Sequence, residues 1–101
     1  MRRRITAALG TLTGSAMLAL LPVSAVAASG TFTYTTSRGL PERLINPNDN
    51  ACYNADINGP AANRTDSDAV VFKGRGCRGS STTLPPRESE NLKGRSVMFV
   101  R

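Results

Sequence analysis

The chain has no histidine and no tryptophan, only two cysteines, and just two tyrosines and three phenylalanines among its 101 residues. Without histidine, the commonest general base and the commonest zinc ligand are both missing. No pair of carboxylates stands beside a base, and a disulfide between the two cysteines leaves no thiol nucleophile. The usual constellations for acyl transfer and metal-assisted hydrolysis therefore lack their parts, and a non-catalytic protein with no metal and no cofactor is expected. The scarcity of aromatics, together with scattered basic residues, argues against nucleic-acid binding, which needs a dense basic patch and stacking platforms.

A long apolar run is also missing. The uninterrupted stretch from Ala16 to Val23 falls well short of the ~18 residues of a spanning helix, and Pro22 breaks it. What stands there is a basic start, Met1-Arg2-Arg3-Arg4, an apolar middle and the small-residue sequence Val23-Ser24-Ala25-Val26-Ala27-Ala28. This pattern predicts a secretory signal peptide over residues 1–27, cut after Ala27 or one residue later, with no membrane segment after cleavage. The predicted location is extracellular. Removing Arg2, Arg3 and Arg4 lowers the net charge from +6 to +3, with ten basic residues against seven acidic ones. That balance supports solubility and favours encounters with anionic surfaces.

Residues 28–101 are predicted to form one small domain. A domain of this size buries only about 60% of its unfolded surface, so a covalent tie is the expected remedy in an oxidising compartment. Cys52 and Cys77 supply it, because a lone pair so far apart, in a chain without histidine, does not make a zinc site. Closing a ring of about 25 residues contributes roughly 3 to 4 kcal/mol through loop entropy.

Along the chain, Gly30–Thr36 alternates threonine with Phe32 and Tyr34, the pattern of a half-buried strand. Leu40–Ile45 reads as an extended connector or short turn, and Asn46–Asn50 as a loop. A short strand from Ala51 ends near Ile57. Asn58-Gly59 invites a hairpin, but Pro60 cannot donate its backbone N–H, so a wider loop is expected. Ala61–Arg64 and Ala69–Phe72 read as strands joined by a tight Thr65–Asp68 connection. Lys73–Gly76 turns, Ser80–Leu84 is a polar strand ended by Pro85-Pro86, Arg87–Gly94 is a long polar connection, and Ser96–Val100 is the last strand. No internal repeat stands out. Five or six short strands without a helix predict an all-β sandwich or small barrel.

From Val70 onward the order Val70-Val71-Phe72, then Cys77-Arg78-Gly79-Ser80, Leu84, Leu92 and Ser96-Val97-Met98-Phe99 resembles one Greek-key motif of the βγ-crystallin type. On that likeness Phe72, Gly79 and Ser96 occupy the motif's aromatic, glycine and serine positions. The Cys52-Tyr53 start, the Asn63–Asp66 segment and this tail are also similar to small secreted proteins of actinobacteria, a group distantly including βγ-crystallin-like metalloproteinase inhibitors. The resemblance implies a Greek-key-like C-terminal half. It does not carry the family's calcium site, because Lys93-Gly94-Arg95 puts cations ahead of Ser96. No second motif of the kind is legible between Thr31 and Asp68.

Two surface stretches are candidates for contact. Pro85-Pro86-Arg87-Glu88 is a candidate inhibitor loop, with Arg87 the anchor for a trypsin-like pocket. Lys73, Arg75 and Arg78 form a candidate contact for an anionic partner such as a cell-wall polymer. Asn54, Asp56 and Asn58 before Gly59 copy half of a calcium loop, but Thr65 stands at its twelfth position, so turn formation explains them better. Asn63-Arg64-Thr65 is a glycosylation sequon, read as coincidental. The expected function is a secreted, non-catalytic binding or structural module, with a secreted protease inhibitor as the alternative.

Overall fold

Six strands account for most of the described part of the computed structural model, residues 26–101. The predicted signal segment, apart from Val26 and Ala27, lies outside the described residues. Strands β1 (Gly30–Thr35), β2 (Pro41–Ile45), β3 (Cys52–Thr65), β4 (Asp68–Gly74), β5 (Arg78–Leu84) and β6 (Ser89–Val100) form one antiparallel sheet in the order β2-β1-β3-β6-β4-β5. The all-β, disulfide-closed fold expected from the sequence is the one observed.

The two long central strands shape the molecule. β3 and β6 pair along Cys52–Asn54 with Met98–Ser96, and again along Ile57–Ala62 with Gly94–Ser89. Between these runs the register slips at Ala55 and Asp56. An extra residue of this kind bends and twists a strand. β1 adds only to the Ala61–Thr65 end of β3, and β4 only to the Ser96–Val100 end of β6. Each long strand thus serves two layers, and the sheet folds back on itself. Phe32 of β1 meets Phe99 of β6 edge-on at 5.5 Å, although β3 lies between their strands, and Tyr53 meets Phe99 at 6.2 Å. Ile57, Val71, Leu84 and Val97 fill the rest of the interior. Alternation along each strand selects them: Ala69 and Val71 point inward where Val70 and Phe72 do not, as Val97 and Phe99 do beside Met98 and Val100.

Three local expectations are corrected. Pro41–Ile45 is a strand, not a connector, because β1 offers it a full ladder from Thr31↔Ile45 to Thr35↔Pro41. Pro41 is tolerated as the first residue of an edge strand. Asn58-Gly59-Pro60 is no loop but the middle of β3, paired with Lys93, Leu92 and Asn91. The Pro60 carbonyl accepts a bond from the Thr35 hydroxyl, so the side on which an N–H would project faces β1 just where that ladder ends. Arg87–Gly94 is not one connection, since β6 begins at Ser89. The N-terminal half repeats the topology of the C-terminal half: in each, a hairpin is followed by a long strand that returns to lie against the hairpin's first strand, giving the orders β2-β1-β3 and β5-β4-β6.

Candidate functional site

Each hairpin tip is latched by a polar side chain of the long strand that follows it. At the β4–β5 tip the Gly76 N–H donates to Asn54 Oδ1 at 2.9 Å, and the Cys77 N–H donates to Ser96 Oγ at 2.8 Å. The Ser96 hydroxyl in turn donates to the Gly74 carbonyl at 2.5 Å. Asn54 and Ser96 are register partners, so they stand side by side beneath the tip. The Cys52–Cys77 disulfide, with Cα atoms 6.0 Å apart, adds a covalent pin at the same place. Under this folded hairpin there is no room for a side chain at position 94: a Cβ on Gly94 would lie 2.6 Å from both the Phe72 carbonyl oxygen and Val71 Cγ1.

The β1–β2 tip uses a carboxylate instead. Ser37 donates to Asp56 Oδ2 from its backbone N–H at 3.1 Å and from its hydroxyl at 2.6 Å. Hydrogen bonds from the Ser37 hydroxyl and N–H hold the Asp56 carboxyl below the usual carboxylate range, with smaller help from Arg95 and Arg38. Ser37-Arg38-Gly39 lies within the β1–β2 tip, whereas the β4–β5 tip is Arg75-Gly76-Cys77, and Gly39 and Gly76 both have positive φ, 77° and 68°.

Between the tips, over the slip in the β3–β6 ladder, lies a cleft of about 430 Å³. Ser37, Asp56, Asn58, Arg75, Lys93 and Arg95 supply its polar lining. Lys93 and Arg95 share the exposed face of β6, because Leu92, Gly94 and Ser96 take the buried positions. Both salt bridges among the described residues are made by Arg101, to Asp49 and Asp66, so none of the three cleft cations is in one. Of the predicted anionic contact, Arg75 lines the cleft, while Lys73 and Arg78 are exposed on the same hairpin outside it. Lys93 falls in the expected Arg87–Gly94 connection and Arg95 just after it, ahead of the expected last strand. Their spacing of two, once β6 is known to reach back to Ser89, is the signal that places them together.

The remaining candidates lie elsewhere. Pro85 and Pro86 are half-buried, Arg87 and Glu88 are exposed, and the segment turns tightly between β5 and β6. Asn63 clamps it twice, accepting the Arg87 N–H at 2.6 Å and donating its own N–H to the Glu88 carbonyl at 2.9 Å. Arg87 has φ 68°, a left-handed conformation rather than an extended one. The calcium-like pattern is committed to structure, since Asn54 and Asp56 are two of the three latches described above. Among the described residues no three acidic or sulfur-bearing side chains gather to hold a metal. The sequon asparagine, Asn63, is fully buried, and its amide nitrogen donates to the carbonyls of Ser67 and Leu84 at 2.8 Å each.

No protein family, curated protein or solved structure matches this chain.

Proposed function

We propose that this chain is a secreted, non-catalytic binding module, βγ-crystallin-like in build, that engages an anionic partner outside the cell through its hairpin tips. The observation that carries this reading is the gathering of Arg75, Lys93 and Arg95 around one cleft, with no salt bridge to any of them among the described residues. Unpaired cations on one surface attract polyanions, and the attraction weakens with salt. A disulfide-pinned tip is compatible with an oxidising extracellular location. Lys73 and Arg78, exposed on the same hairpin, extend the basic surface.

Protease inhibition is the weaker reading. The Asn63 clamp would present the Pro85–Glu88 turn rigidly, but its central Arg87 is in a left-handed conformation, unlike the extended segment that a cleft enzyme pairs with. Co-sedimentation of the oxidised protein with isolated cell walls tests the main reading. Retention at low salt that falls steeply at high salt is expected, and no retention at low salt would refute it.

A further inference from the structure

We propose that the cleft between the hairpin tips is a phosphate site, built for a phosphate group carried on a polyol or sugar. This deepens the reading above and rests on it, since it names the anion and the residues. Three cations meet one carboxylate in the cleft, giving a local charge of about +2, matched to a phosphate group. Arg75 and Arg95 offer planar guanidinium forks suited to two phosphate oxygens at once, and Lys93 offers a point charge beside them. They come from separate segments, Arg75 from the β4–β5 tip and the other two from β6, so they can surround an ion and not merely flank it.

Asp56 points to the rest of the ligand. Asp56 Oδ2 accepts both bonds from Ser37, whereas Oδ1 accepts none from a described residue. A depressed pKa keeps the group ionised, and an ionised carboxylate is an acceptor only. A hydroxyl next to the phosphate would satisfy Oδ1, and the amide of Asn58 could serve a second. The volume of about 430 Å³ holds more than a lone phosphate and lies in the range of small-ligand sites. Among the described residues no aromatic ring lines the cleft, so a nucleobase has nothing there to stack on. Arg75 projects from a tip pinned by the disulfide, Asn54 and Ser96, which lowers the ordering cost of binding.

Calorimetric titration of the oxidised protein with glycerol 3-phosphate, inorganic phosphate and glycerol separates these elements. One glycerol 3-phosphate should bind per chain, inorganic phosphate several-fold more weakly, and glycerol not measurably. Replacing Lys93 and Arg95 together by Gln should weaken glycerol 3-phosphate at least about tenfold, two charged hydrogen bonds being lost. Arg43→Gln, an exposed change on β2, should leave affinity within about twofold, and thermal melting confirms that both variants fold. Asp56→Asn should narrow the gap between glycerol 3-phosphate and phosphate. Equal affinity for the two ligands in the native protein, or binding indifferent to the Lys93/Arg95 change, would overturn the proposal. Cell walls distinguish this failure from that of the broader reading. Salt-sensitive wall retention that survives the double change refutes the cleft alone, and glycerol 3-phosphate binding without wall retention keeps the cleft and refutes the wall.

Discussion

Asp56 and Ser96 perform the same task with different chemistry, and the difference is measurable. The Asp56 carboxyl is held below its unfolded value, chiefly by Ser37, so its contribution to stability is present at neutral pH and is lost as pH falls through the depressed value. Ser96 has no such dependence. The protection of the Ser37 amide, relative to its intrinsic exchange rate, should therefore fall as pH drops through the depressed Asp56 value while that of Cys77 is kept, and Asp56→Ser should remove that pH dependence. Asn63 illustrates a buried polar residue with every valence used. Its nitrogen serves Ser67 and Leu84, and its oxygen accepts from the Thr65 N–H and hydroxyl at 3.0 and 2.7 Å. Asn63→Ala takes these bonds from buried groups, the Leu84 carbonyl and the Thr65 N–H among them, and should cost about 2 to 4 kcal/mol in denaturant unfolding. Burial of its amide nitrogen also means that folded protein cannot be glycosylated there.

At the scale of the element, the second hairpin has two latches and a covalent pin, whereas the first has a carboxylate alone. Changing Cys52 and Cys77 together to Ser should lower stability by roughly 3 kcal/mol, and the melting temperature by more than about 10 °C. The β4–β5 tip should then exchange faster while Ser96 still restrains it. Gly94→Ala tests the closeness of the same hairpin, and a loss of about 1 to 3 kcal/mol is expected on melting, since the added methyl meets a carbonyl. The strands with alternating or continuous apolar residues, β1, β4 and the end of β6, were legible from sequence. β2 was not, because Pro41-Glu42-Arg43 carries no burial pattern: its order comes from the β1 ladder and its side chains stay largely exposed. The middle of β3 was hidden by Asn58-Gly59-Pro60, where tertiary pairing overrides a local turn preference. The cleft was legible only through Arg75, since Lys93 and Arg95 belong to a stretch whose strand character depends on β3. The likeness of the two halves is one of strand order, which rests on long-range pairing and not on a repeated sequence.

At the scale of the whole domain, Arg101 ties the last strand to the first of the described residues. It bridges Asp49 at 3.1 Å and Asp66 at 3.3 Å, and donates to the Ala27 carbonyl at 3.1 Å. The Asp66 carboxyl is held low first by the Ser29 N–H and then by this arginine. Val26 joins the same knot, its carbonyl accepting the Asp49 N–H at 2.9 Å. A chain starting at Val26 should therefore melt higher than one starting at Ala28, and equal melting temperatures would show that these two residues contribute nothing. β1 and β4 both run from this knot toward the hairpin tips, so the knot and the cleft occupy opposite poles. Residues 26–101 are consequently close to a closed circuit. Joining Arg101 to Val26 through a short flexible linker and reopening the backbone between Arg38 and Gly39 would yield a circular permutant with the same sheet order. A cargo tethered at the knot would leave the basic pole facing outward, unobstructed.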